Sequence, residues 1–155
     1  MDELDASLIS LLAAEPRIGV LESSRRLGVA RGTVQARLDR LVDRGVVRSF
    51  GPDVDPVALG FAVLAFTTLE IAQGRGHDVV EHLRDIPEVL EAHTITGPGD
   101  LLLRMVARDN ADLQRVIDRV VEVEGIERTA TVIALSRPIG YDVLPLVHAA
   151  VSQPR

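Results

Sequence analysis

The chain has no cysteine, no tryptophan and no lysine. Without cysteine there is no disulfide, no thiolate nucleophile and no cysteine-containing zinc or iron–sulfur site, which fits a reducing compartment. All 17 basic residues are arginine, an asymmetry that carries no functional weight alone. The chain also lacks any run near the ~18 consecutive apolar residues that span a bilayer. Its acidic start, Met-Asp-Glu, lacks the basic segment of a secretory signal. A cytoplasmic protein is expected. What is present is a large apolar share, 46% of 155 residues, with 26% charged and a mean hydropathy of +0.19. That length suits one ordinary domain or two small ones, and the surplus apolar surface points to self-association.

The net charge of −6 is unevenly placed. Residues 17–50 hold eight arginines against Glu22, Asp39 and Asp43, a balance of +5, whereas residues 51–155 hold nine arginines against sixteen acids, a balance of −7. A basic segment joined to an acidic one fits an electrostatic footprint on nucleic acid. At its centre lies RGTVQARLDRLVDR, residues 31–44. There Val34, Leu38, Leu41 and Val42 recur at helical spacing on one stripe and leave Arg31, Thr33, Gln35, Arg37 and Arg40 off it. Leu21–Leu27 gives a shorter helix before it, and Gly28-Val29-Ala30 a three-residue turn, which is helix-turn-helix grammar. Arginine forks suit phosphates and guanine edges, and glutamine pairs with adenine in the major groove. The plainer reading is a helical hairpin with a solvated arginine face.

Leu4, Leu8, Leu11 and Leu12 mark a first helix that ends before Pro16. Ile18, Leu27, Val29, Val34, Leu38 and Leu41 complete a small core. VVRSFG (46–51) reads as a strand forming a wing, with Arg44 and Arg48 placed for phosphate. The first domain is thus residues 1–50, a winged helix-turn-helix. Residues 51–60, with Pro52-Asp53-Val54-Asp55-Pro56, form a stiff hinge. Beyond it, a β-rich run (61–71), a helix carrying Val79, Val80, Leu83 and Ile86, strands at 89–96 and 101–108, a helix at 111–121 and a strand at 128–135 follow in the order β-α-β-β-α-β. The expected fold class is α+β, with a ferredoxin-like second domain at 61–146 and a tail at 147–155. Its two helices cover one sheet face, so apolar residues near Phe61, Val63 and Phe66 need a partner on the other.

The order and spacing of LDASLISLL, the block from Arg17 to Val47, the hinge, His93-Thr94-Ile95-Thr96-Gly97-Pro98-Gly99-Asp100 and Gly125-Ile126-Glu127-Arg128-Thr129-Ala130-Thr131 resemble the Lrp/AsnC (feast/famine) transcriptional regulators, from about Leu4 to Leu146. The resemblance implies double-stranded DNA as partner, an amino-acid effector, and a homodimer assembling to an octamer. It places the effector where the turn between the middle strands meets a neighbouring dimer. The candidate DNA contacts are Arg31, Thr33, Gln35 and Arg37 at bases, with Arg40, Arg44 and Arg48 at phosphates. The candidate effector contacts are Gly97, Pro98, Gly99, Asp100, Thr129 and Thr131, with Asp100 for the ammonium and the glycine N–H groups for the carboxylate. By itself GPGD is an ordinary hairpin turn. The chain departs from the family at Ala30 and Gly32, where Ser and Pro are common, and at Gly99, where an aromatic is common; the second departure implies a wider or reshaped pocket.

No cofactor and no metal is expected: His77 and His82 lie five apart on a helix and share no face. His93, beside the turn, reads as a pocket wall or a core neighbour. The reading is a regulator, not an enzyme. The alternative, which His93 keeps open, is a sirohaem-decarboxylase-like enzyme on the same two-domain plan.

Overall fold

Asp2 opens the first helix, α1 (Glu3–Ala14). Its carboxylate accepts from the Asp5 N–H while the Asp5 carboxylate accepts from the Asp2 N–H, both at 3.0 Å, so two otherwise unpaired donors are satisfied reciprocally. Helix α2 (Val20–Leu27) ends at Gly28, whose φ of 68° is the left-handed cap that glycine adopts without strain. Helix α3 (Arg31–Asp43) begins after Ala30, which provides no side-chain cap. In this computed structural model, which describes residues 1–152, Leu8, Val34 and Leu41 are the buried centre of the three helices. Leu12, Leu27, Val29 and Leu38 pack around them. Val42 instead stands at the edge of the stripe and is exposed.

The expected wing is absent. Residues 46–51 contain no strand. The Val46 and Val47 N–H groups both donate to the Leu41 carbonyl, at 2.9 and 3.1 Å, which holds the segment to the end of α3. A lone extended segment has no second strand beside it to complete a ladder.

The second part of the chain is β1 (Val63–Ile71), α4 (Gly76–Arg84), β2 (Val89–Thr94), β3 (Leu101–Ala107), α5 (Asn110–Val121) and β4 (Ile126–Ala134). The strands form one antiparallel sheet in the order β2-β3-β1-β4. Alternation sends Ala65, Thr67 and Leu69 of β1 and Leu101, Leu103, Met105 and Ala107 of β3 to one face, where Val79 and Leu83 of α4 and Leu113, Val116 and Val120 of α5 cover them. Val63 packs against this core as well, so it is not on the bare face where it was expected. The register puts Leu64, Phe66, Thr68, Leu102, Arg104, Val106 and Val132 on the face without helices, where Val106 alone is buried. There Val132 is 64% exposed. Phe61 lies before β1, with the Arg108 guanidinium 5.6 Å above its ring. Glu88, buried just before β2, receives Arg115 at 2.7 Å and Arg119 at 3.2 Å and ties α5 down.

Helix α6 (Leu144–Ser152) replaces most of the expected tail; residues 153–155 of that tail lie outside the described residues. Its His148 ring nitrogen is 3.0 Å from the Ser10 hydroxyl of α1. Residues 139–152 group with Met1–Asp53 in one unit, and Val54–Pro138 is the other. Residues 139–146, expected with the ferredoxin-like domain, group here with the N-terminal helices.

Candidate functional site

Helix α3 leaves Arg31, Thr33, Gln35 and Arg40 exposed while its Val34 and Leu41 are buried. Arg31, Arg44 and Arg48 make no ion pair among the described residues, so their guanidiniums are available to an anion. The Gln35 amide donates to Asp39 at 2.7 Å, one turn along the same face. Arg37, expected nearest the bases, is not available. Its Nη1 lies 2.6 and 2.7 Å from the Asp2 carboxylate oxygens and 2.8 Å from Asp5 Oδ1, and its side chain is only 23% exposed. Arg40 is shared: it reaches Asp5 at 3.0 and 3.2 Å while half its side chain stays in solvent. Arg37 therefore serves the fold, because it lies on the flank of α3 that meets the start of α1.

The two carboxylates are electrostatically committed. The Arg37 guanidinium, helped by the Asp5 N–H, holds the Asp2 carboxyl below its usual range. Burial pushes Asp5 up, but hydrogen bonds from Arg37 and the Asp2 N–H, with the Arg40 charge, bring it below its usual range too. Counting residues 17–50 missed this compensation. Over residues 1–50 the eight arginines face seven acids, and the +5 footprint shrinks to +1. Asp2 and Asp5, three apart at a helix start, carried the signal as a capping pattern.

The turn between β2 and β3 is built onto β1. The Asp100 N–H donates to the Leu69 carbonyl and the Asp100 carboxylate accepts from the Ile71 N–H, each at 2.7 Å. Gly97 and Gly99 both have φ of 101°, and neither N–H donates to a backbone acceptor among the described residues. Gly99 presses on β1: a Cβ there would collide with the Thr68 side chain and crowd the Leu69 carbonyl. Its smallness serves close packing, so the expected enlargement of a pocket at Gly99 is not what the glycine provides. Asp100 instead borders an open cleft of about 350 Å³ with Ala72, Gly76, Val80, Thr94 and Leu101. Sequence reading had not singled out the residues from β1 to α4, because only the folded sheet brings that loop beside the turn.

Thr129 and Thr131 do not join this group. They pair with Leu69 and Thr67 on the far side of β1 from β3, two strand spacings or about 10 Å from the turn. The Thr131 hydroxyl is 2.8 Å from that of buried Thr67. His93 is neither a core neighbour nor a wall of the cleft. It is exposed on β2, opposite Leu102, with its ring 3.4 Å from Glu91, which also meets Arg104 at 3.3 Å. Among the described residues no cluster of three metal-ligating side chains occurs, and no helix is long and apolar enough to cross a membrane.

Comparison with known proteins matches both parts. Residues 1–42 fit the AsnC-type helix-turn-helix domain and residues 64–144 the Lrp/AsnC ligand binding domain. An HTH-type transcriptional regulator of Pyrococcus abyssi is 33% identical over 137 residues, 88% of this chain and 87% of the relative. The HTH-type transcriptional regulator FL11 of Pyrococcus furiosus is 31% identical over 87% of this chain and 89% of its own length. E. coli AsnC superposes with a TM-score of 0.86 at 26% identity, covering 94% of this chain and 99% of that one. A Neisseria meningitidis transcriptional regulator solved with L-methionine gives 0.81 at 25% identity, over 96% and 99%. These relatives are named as regulators, and no observation favours the decarboxylase alternative. With a helix-turn-helix followed by a four-stranded antiparallel sheet and its helices, the chain belongs to the Lrp/AsnC family of transcriptional regulators.

Proposed function

We propose that this regulator works in the cytoplasm as a homodimer, able to assemble further to an octamer, and that it reads operator DNA through α3. Arg31, Thr33 and Gln35 address base edges, and Arg40, Arg44 and Arg48 hold phosphates. The observation that carries this is the division of α3 into a buried stripe at Val34 and Leu41 and exposed residues at Arg31, Thr33, Gln35 and Arg40, on a helix preceded by a glycine-capped turn. Gln35 gives up its bond to Asp39 when it pairs with a base. The two copies of α3 address half-sites about one helical turn, ~34 Å, apart or a multiple of that.

The bare sheet face supports the dimer, since Phe66, Leu102 and Val132 have no helix over them and a two-fold copy buries them. The effector is an amino acid held at the β2–β3 turn: the Asp100 carboxylate takes the ammonium, the Gly97 and Gly99 N–H groups take the carboxylate, and the cleft beside Val80 and Thr94 takes the side chain. Two family structures contain L-methionine, which makes it the first ligand to test. A ligand held there shifts assembly only through its difference in affinity between two arrangements, and ~1.4 kcal/mol of difference changes their ratio tenfold.

The test is fluorescence anisotropy with duplex DNA across a salt series. With Arg44 and Arg48 as firm phosphate contacts, a dimer neutralises about four phosphates, and log K falls with log salt at a slope of about −4. A protein whose DNA affinity does not respond to salt refutes the reading.

A further inference from the structure

The two carboxylates at the start of α1 face two guanidiniums of α3, and the four charges cancel. Arg37 spends its Nη1 on Asp2 and Asp5 together; Arg40 has Asp5 alone and remains half in solvent. Asp2 is itself 54% exposed, whereas Asp5 is buried. The cluster thus has a fixed inner member and an outer member at the surface, beside the helix that carries the proposed DNA contacts. A carboxylate and a phosphate compete for the same guanidinium face. We propose that Asp2 and Asp5 act as an internal counter-ion for α3, keeping Arg37 away from DNA and dividing Arg40 between α1 and phosphate, so that the first helix limits the protein's sequence-independent affinity for DNA. Asp5 is a positioning residue, fixing α3 against α1; Asp2 tunes how much positive charge α3 offers. The inference rests on the reading of α3 as the DNA-contacting helix.

Neutralising Asp2 tests it, because asparagine still caps a helix N-terminus and removes only the charge. In Asp2→Asn two guanidiniums share one carboxylate, and Arg40, the more exposed, is released. One added phosphate contact per protomer, two per dimer, steepens the log-log salt slope by about 1.8 and raises affinity about 60-fold at 0.1 M salt. The probe is the full chain with a 40-base-pair duplex of random sequence. Glu3→Gln adds the same unit of charge on α1 without touching Arg37 or Arg40, and its slope stays at the parent value. Asp2→Ser, which also keeps a capping oxygen, reproduces Asp2→Asn if charge is the cause, and melting curves show that each variant is folded. A parental slope in Asp2→Asn and Asp2→Ser, or an equal steepening in Glu3→Gln, overturns the proposal. A parent without salt-dependent binding overturns the DNA reading itself, and this one with it.

Discussion

Asp100 has two duties that one pair of substitutions separates. Its carboxylate holds the Ile71 N–H at 2.7 Å, and in the proposed complex it also holds the effector's ammonium. A hydrogen bond to a charged group contributes about 1.5–3 kcal/mol when its loss strands a buried partner. Asp100 is exposed, so water takes over in Asp100→Ala, and the expected loss is about 1 kcal/mol, or ~2–4 °C in melting temperature for a chain of this size. Asp100→Asn keeps an acceptor oxygen for Ile71 and loses less. The charge is gone in both. Losing the ammonium–carboxylate bond weakens effector binding about 10- to 100-fold. The assay is a thermal-shift screen of the common amino acids, L-methionine first. A ligand at 100 times its dissociation constant stabilises the parent by about 2.7 kcal/mol, and the same concentration stabilises Asp100→Asn by only about 0.4–1.4 kcal/mol. Ligand-free DNA binding stays at the parent level. An Asp100→Asn protein that responds to the ligand as the parent does refutes the assignment, and the turn is then only a turn.

Gly99→Ala is expected to cost more than about 2 kcal/mol in urea unfolding, since it combines a positive φ with a collision against β1; a neutral result would contradict the packing. Val132→Asp puts a carboxylate on the bare sheet face without disturbing the core, and light scattering should then report a monomer where the parent is a dimer. Acid should destabilise the fold in a defined window. Asp2, Asp5 and Glu88 have carboxyls depressed in the folded chain; for Glu88, burial pushes up but Arg115 and Arg119 outweigh it. Their contribution is therefore present above the unfolded carboxylate range and lost as pH falls through about 4 and below. Urea midpoints should hold between pH 7 and 5 and drop by pH 3, with Glu88→Gln flattening part of that drop.

The sequence by itself determined the elements and their order. Helical spacing at Leu4, Leu8, Leu11 and Leu12 and at Val34, Leu38 and Leu41, the glycine at position 28 and the β-α-β-β-α-β succession are local patterns. Each is set by backbone sterics and burial periodicity, so each was legible residue by residue. The wing was not, because a strand exists only with a neighbour and residues 46–51 have none. Tertiary structure alone decided the electrostatics of α3: Asp2 and Asp5 are more than thirty residues from Arg37 and Arg40, and only packing turns an apparent base reader into a scaffold cation. It also decided the effector turn, where β1 separates Thr129 and Thr131 from Asp100 while the β1–α4 loop closes a cleft beside it. It fixed the destination of α6 as well, whose His148 meets Ser10 of α1 from 138 residues away. Periodicity reports which way a side chain points from its own element; it says nothing of which other element lies there.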